Sequence, residues 1–251
     1  METYKNLCTE LYELDKPHAP ENELAFYLAH AKQTIGPIFE PMCGTGRFLI
    51  PMLEQGLDVD GLDASTYMLS VCKQKCLAKN LHPRLYEQYL HEFSPDKKYG
   101  LIFIPTGSFG LITDMEQAKQ CLKIIYDSLL PNGKFLFEVE TIHTVPKELD
   151  TWHHNVKSVH KADKSKIILS TQPKYHTATQ ILQTLCRYQL IQENKILQTE
   201  NEDFNLRLYQ ADEMDQWLKQ AGFLHVIRHK THTPETSEEN NEVIIYECIK
   251  N

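Results

Sequence analysis

The chain is predicted to fold as an α/β protein around a mostly parallel, seven-stranded sheet wound with helices on both faces. Three observations carry this. Short apolar runs alternate with helical stripes from Thr34 to Glu140, an alternation that calls for parallel strands covered by helices. The run Ile38-Phe39-Glu40-Pro41-Met42-Cys43-Gly44-Thr45-Gly46-Arg47 passes from an apolar strand through a carboxylate straight into a glycine-bearing turn. Between Trp152 and Tyr209 the rhythm then changes to long strand-like runs without a helical stripe.

Taken in order, Thr3 to Gln33 reads as helix, interrupted near Lys16-Pro17-His18-Ala19-Pro20 because proline breaks the backbone ladder. Glu21-Asn22-Glu23 starts a second helix with Leu24, Tyr27 and Leu28 at helical spacing. Gly36 to Glu40 is strand, Arg47 to Gln55 helix, Val59 to Leu62 strand, and Ser65 to Lys79 a helix with Ser65 as N-cap. Arg84 to Leu90 and Leu101 to Pro105 are the third and fourth strands. Met115 to Leu130 is a helix, and Lys134 to Glu140 the fifth strand after the turn Pro131-Asn132-Gly133. Lys166 to Ser170, Ile181 to Ile191 and Leu197 to Leu208, with a turn at Glu193-Asn194-Lys195, read as an inserted antiparallel sheet. Met214, Trp217, Leu218 and Ala221 mark an amphipathic helix ended by Gly222. Phe223 to His229 and Val243 to Ile249 are the last strands, and the polar, acidic stretch Thr231 to Asn241 between them is expected to be mobile. The organisation expected is therefore residues 1–150, an insertion over 151–209, and a return to the first unit over 210–251.

With 251 residues the chain can bury a sizeable core. Lys+Arg 26 against Asp+Glu 34 leaves a net charge of −8, so no general attraction to nucleic acid or anionic lipid is expected, and small-molecule partners fit better. The seven cysteines form no CxxC pair and read as reduced thiols. Cys72 and Cys76, four apart on a helical stripe with Leu69, read as buried apolar groups and not as half a metal site. Met1 to Glu13 has no apolar core of signal-peptide length and no run is long enough to span a bilayer, so a soluble, cytoplasmic protein is expected.

The glycine turn reads as a ligand cradle: Gly44 and Gly46 permit close approach and torsions that a Cβ forbids. The next strand ends in Asp63, placed to grip a ribose, so two carboxylates flanking a glycine turn point to an adenosyl-type cofactor. A dinucleotide fold needs a third glycine where this chain has Leu49, and Glu40 would repel a pyrophosphate but suit a cationic amino acid moiety. The Tyr-x-x-x-Lys spacing of short-chain dehydrogenases occurs only near the ends, as Tyr12 with Lys16 and Tyr246 with Lys250. An NAD-binding oxidoreductase is thus the weaker alternative, and a non-catalytic binding protein of the same fold is another.

These residues resemble the class I S-adenosylmethionine-dependent methyltransferases, particularly the small-molecule N- and O-methyltransferase branch. The match lies in Glu40 to Arg47, in Gly61-Leu62-Asp63-Ala64-Ser65 followed by Met68-Leu69, in Leu129-Leu130-Pro131-Asn132-Gly133-Lys134, and in Ala221-Gly222-Phe223. The resemblance implies a Rossmann-like core with a C-terminal antiparallel hairpin over Phe223 to Ile249, an N-terminal helical lid, and a substrate-side β insertion over Trp152 to Leu208. It implies that Glu40 contacts the amino end of S-adenosylmethionine, with Met42, Cys43, Gly44, Thr45, Gly46 and Arg47 in the turn beneath. Asp63 would hold the ribose hydroxyls, Ala64 and Met68 line the adenine, Leu90 and His91 flank the base, and Thr106 lie near the sulfonium. Tyr12 resembles a lid tyrosine, and Arg207 and Tyr209 are the next candidates to face substrate.

The chain departs from the family pattern at three places. Met42 stands where the first glycine is usual, Tyr89 stands at the usual acidic position of the third strand, and Arg47 sets a cation at the positive end of a helix. After the fourth strand, Pro105-Thr106-Gly107-Ser108 lacks the Asn/Asp-Pro-Pro-aromatic signature of methyltransferases acting on nucleic-acid amino groups. His153 and His154 would point to opposite faces of a strand, and nothing in spacing selects a general base among His143, His153, His154 and Glu140. No catalytic residue and no metal ligand is therefore assigned.

Overall fold

A computed structural model of the chain describes residues 4–230, 232 and 241–251. The stretch expected to be mobile, Thr231 to Asn241, lies outside these except for His232 and Asn241. Two helices, α1 (Asn6–Asp15) and α2 (Glu21–Gln33), precede the alternating region β1 (Ile38–Pro41), α3 (Leu49–Glu54), β2 (Val59–Asp63), α4 (Thr66–Ala78), β3 (Leu85–Glu87), β4 (Tyr99–Ile104), α5 (Met115–Ser128) and β5 (Leu129–Glu140). The insertion holds β6 (His153–His160), β7 (Lys166–His176), β8 (Ile181–Gln192) and β9 (Lys195–Arg207), and α6 (Ala211–Ala221), β10 (His225–His229) and β11 (Val243–Ile249) close the chain.

The main sheet has the order β10-β11-β5-β4-β1-β2-β3, with β1 to β5 parallel and β10-β11 an antiparallel hairpin laid antiparallel on β5. Period-2 alternation divides its residues between two layers. Ile102 and Ile104 of β4 face Leu122, Ile125, Met214 and Trp217 of α5 and α6. Leu101 and Phe103 face Tyr27 of α2, Met52 of α3 and Leu69 and Cys72 of α4. The strand order reverses between β1 and β4, and in open α/β sheets the crevice beyond the carboxyl ends at such a switch point is where ligands bind.

The second sheet has the order β6-β7-β8-β9 and is antiparallel throughout. It packs through Ile167, Cys186 and Tyr188 on Leu7, Cys8 and Leu11 of α1. Helix α1 has no side-chain cap of its own. Its orphan amides are taken by the insertion instead: Tyr4 and Lys5 N–H donate to the Glu202 carboxylate (3.0 and 2.6 Å), and Leu7 and Cys8 N–H to Glu200 (3.0 and 3.2 Å). Two carboxylates at a helix N-terminus also complement its dipole.

Some boundaries differ from the sequence reading for identifiable reasons. The turn after β1 continues to Phe48, so α3 starts at Leu49 and not Arg47. The third strand is only three residues at the sheet edge, after which Leu90–Glu92 form a 3-10 turn. Pro131-Asn132-Gly133 is carried inside β5, with Asn132 at φ 61°, because the end of β11 pairs with it: Asn132 N–H donates to Lys250 and Lys250 N–H to Gly133. All seven cysteines are free and buried. Among the described residues no helix is long and apolar enough to cross a membrane.

The chain enters β1 through a close approach: a Cβ on Gly100 would lie 2.1 Å from the Ile35 carbonyl oxygen and 2.6 Å from Thr34 Cγ2. Backbone cannot yield as a side-chain tip can. Gly100→Ala is expected to lower the unfolding free energy by about 1–3 kcal/mol or more, read by denaturant unfolding. An unchanged midpoint would contradict this packing.

Candidate functional site

A cavity of about 750 Å³ opens at the carboxyl ends of β1, β2 and β4, with α1 and β9 across from them. Its size is that of a pocket for a sizeable small molecule. Glu40, Met42, Cys43, Gly44, Arg47, Asp63, Ala64, Met68, Leu90, His91 and Thr106 all stand in its wall, and so does Tyr12 from α1. Thr45 and Gly46 lie behind the wall: Thr45 is 1% exposed, and a Cβ on Gly46 would meet Cys72 Sγ at 2.8 Å.

The turn after β1 is shaped by positive φ angles at Met42 (61°), Gly44 (55°) and Gly46 (82°). Met42 thus takes the left-handed conformation usually left to glycine, a strained state that persists where its surroundings fix it. Its side chain packs with Leu111, Leu206 and Leu208. A Cβ on Gly44 would meet nothing within 4 Å, so this glycine serves the torsion, whereas Gly46 also makes room for α4. Leu49, in place of a third glycine, finds its space from the other side: a Cβ on Gly61 of β2 would come within 2.6 Å of Leu49 Cδ1.

Glu40, the penultimate residue of β1, is 2% exposed, and its Oε2 has no hydrogen-bond partner. Burial pushes its carboxyl well above the usual range, the Arg47 charge and the Leu49 amide pull the other way, and Asp63 adds to the rise. Asp63 Oδ2 accepts from Gly44 N–H and Oδ1 from Ser65 N–H, both at 2.8 Å. A carboxylate offers about four acceptor positions, so the backbone amides do not exhaust those of Asp63, which can still accept from a hydroxyl. Burial raises its pKa while the Ser65, Gly44 and Ala64 amides lower it. Ser65 caps α4 by accepting from Met68 N–H (3.3 Å) and donates to Tyr4 C=O (2.8 Å), which ties the segment leading into α1 to the Asp63 side of the cavity.

Over the turn, the Arg47 guanidinium lies 4.9 Å from the Tyr12 ring centroid. Burial pushes the Tyr12 hydroxyl up to about 12 against the lowering charge of Arg47. On the far side, Tyr89 stands in the wall with its ring 5.4 Å from that of His91.

Two candidates lie outside the wall of this cavity. Arg207 is 4% exposed and lines a smaller adjoining pocket that shares Thr113 and Asp114 with it, donating to Thr179 C=O (2.8 Å) and Gln180 Oε1 (3.2 Å) and pairing with Glu213 at the start of α6. Tyr209 is fully buried, its ring against Phe109 and Trp217. Buried charge needs partners, and those of Arg207 come from the β7–β8 turn and α6. His143, His153, His154 and Glu140 are likewise absent from the cavity wall.

The sequence reading missed one wall altogether. Asn201, Asp203 and Asn205 of β9 face Thr113, Asp114 and Gln117 at the start of α5 across the cavity, and Asn205 Oδ1 is buried without a partner. In the sequence these residues stand in or next to a continuously polar run, Gln198 to Asp203, with no alternation to mark one face. Beneath Thr106, Glu23, Glu138 and His232 bring one ligand-type atom each within 4.8 Å of one another, and Glu138 Oε1 already accepts from Tyr27 OH, Thr106 N–H and His232 Nε2.

Residues 38–133 match a family model described as a methyltransferase domain, a span that holds Glu40, the glycine turn and Asp63. A Geobacillus sp. (strain WCH70) protein named as a methyltransferase is 22% identical over 223 residues, covering 88% of this chain and 87% of its own. Among solved structures, an S-adenosylmethionine-dependent methyltransferase from Clostridium acetobutylicum ATCC 824 superposes with TM-score 0.77 at 17% identity, over 96% of this chain and 97% of its own. The sugar N-methyltransferase KedS8 from Streptoalloteichus sp. ATCC 53650 does so with TM-score 0.75 at 13% identity, over 100% and 97%.

Because burial raises the Glu40 pKa, the ligand-free folded protein holds this proton to higher pH than the unfolded chain, and the stability it contributes falls as pH rises through the raised value. Thermal melts from about pH 5 to pH 8 should therefore favour Glu40→Gln over wild type increasingly as pH rises. A pH-independent difference would contradict the burial of this carboxyl.

Proposed function

We propose that this chain is an S-adenosylmethionine-dependent methyltransferase that transfers a methyl group to a nitrogen or oxygen of a small-molecule acceptor. One observation carries the reading: a buried Glu40 oxygen without a partner stands in the same cavity as an Asp63 carboxylate with open acceptor positions. A cation with a diol matches both. The buried carboxyl at the turn supports a cofactor without phosphates, against NAD.

When bound, the cofactor supplies an activated methyl on a sulfonium. Glu40 would hold its ammonium group and Asp63 its ribose hydroxyls, with Ala64, Met68, Leu90 and His91 about the base and Thr106 on the sulfonium side. The chain's work is to hold acceptor and donor in line and keep water out. Tyr12, stacked with Arg47 on an α1 fixed to β9, serves that exclusion. The acceptor side would be the wall of Asn201, Asp203, Asn205, Asp114 and Gln117. Carboxylates and carboxamides there suit a molecule bearing hydroxyl or amino groups, and the likeness to a sugar N-methyltransferase supports nitrogen as the acceptor atom.

Thermal unfolding with S-adenosylmethionine, S-adenosylhomocysteine and NAD tests the cofactor assignment. Ligand at a hundredfold over its Kd adds about 2.7 kcal/mol, so a clear rise in Tm is expected with the first two and none with NAD. Asp63→Ala should abolish the rise. Release of S-adenosylhomocysteine with a panel of amines and alcohols then tests transfer. Stabilisation by NAD alone would overturn the assignment, and cofactor binding without product from any acceptor would favour a non-catalytic binder.

A further inference from the structure

We propose that Glu138 is a positioning residue, whose carboxylate holds the backbone at the end of β4 in the strained conformation that sets Thr106 against the cofactor; this rests on the methyltransferase reading of the cavity. Thr106 stands in the cavity wall with φ 55°, and Gly107 follows at 69°. A glycine occupies such a torsion freely, but a β-branched residue rarely does. Strain of this kind persists only when the surroundings over-determine it, and it clusters at functional sites.

The hold on Thr106 is the hydrogen bond that its backbone N–H donates to Glu138 Oε1, 2.7 Å long. Glu138 is 5% exposed on β5, the neighbour of β4, where Ile104 pairs with Phe137. The same oxygen is fixed from two further directions, by Tyr27 OH at 2.9 Å and His232 Nε2 at 3.2 Å. Tyr27 is itself fully buried, its ring 5.6 Å from that of Phe48 and 5.2 Å from that of Phe103. Burial works against a charged His232, yet its bond to Glu138 and the Glu138 and Glu23 charges carry its pKa up, and its Nε2 stands 3.2 Å from the carboxylate. Stability alone gives little reason for this arrangement, because an apolar side chain in the middle of a sheet serves a fold as well as a buried ion pair. What the carboxylate adds is an acceptor, rigidly placed, for the one amide that turns the chain into the cavity.

The test is a double-mutant cycle read by calorimetric titration with S-adenosylmethionine, in wild type, Glu138→Ala and Glu138→Gln, each with Thr106 retained and with Thr106→Gly. With threonine present, Glu138→Ala is expected to weaken binding about tenfold or more. Beside glycine, which needs no hold, the same change should cost less than about threefold. The methyl ¹³C resonance of bound methyl-labelled S-adenosylmethionine should move in Glu138→Ala and return toward its wild-type position in the double variant. Should Glu138→Ala fail to fold, Glu138→Gln keeps the volume and carries the same comparison, with a smaller loss confined to the threonine background. Equal losses in both backgrounds, or unchanged affinity and resonance, overturn the proposal while leaving the methyltransferase reading intact. A wild type that does not bind contradicts both.

Discussion

A carboxylate buried at the end of a strand, with one oxygen unpaired, is an unstable arrangement that something must compensate. Glu40 is such a group, and in the proposed function a ligand cation supplies that compensation. Arg47 offsets part of the charge from the turn, but its guanidinium is also engaged with the Tyr12 ring. Desolvation that raises the energy of the free carboxylate increases what a bound cation gains there. A buried carboxyl of this kind lowers the stability of a fold and strengthens the binding of a cation, a trade commonly met at functional sites.

The fold makes this placement possible. β1 is buried over its whole length, and the strand order reverses beside it, so its carboxyl end opens into the crevice and not against a neighbouring crossover. The glycine turn then brings the Gly44 amide to Asp63, locking the two carboxylate-bearing loops together. Closure comes from far away in sequence: Glu200 and Glu202 on the insertion cap α1, and α1 brings Tyr4, Lys5 and Tyr12 over the cavity. The insertion and α1 are thus joined at a helix terminus that has no side-chain cap of its own.

Features set by near neighbours were legible in the sequence. The torsions at Gly44 and Gly46, the Ser65 cap, the Gly222 helix end and the acid at the end of β2 all depend on residues a few positions apart. Features set by contacts across the sheet were not. Leu49 fits where a glycine is expected because Gly61, on the adjacent strand, leaves the room. The Pro131-Asn132-Gly133 turn became strand because β11 supplied partners from the other end of the chain. Arg207 and Tyr209 were expected at the substrate because they end the insertion, but residue type does not say which way a strand end points. Asn201, Asp203 and Asn205 lie in or next to a continuously polar run, and nothing local tells a solvent face from a cavity face.

The most direct measurement is a crystal structure with S-adenosylhomocysteine bound. The account predicts the ligand's amino group within hydrogen-bond distance of Glu40 Oε2 and both ribose hydroxyls on the Asp63 carboxylate. A ligand whose ribose or amino group lies elsewhere in the cavity, leaving Glu40 Oε2 unpaired, would contradict it.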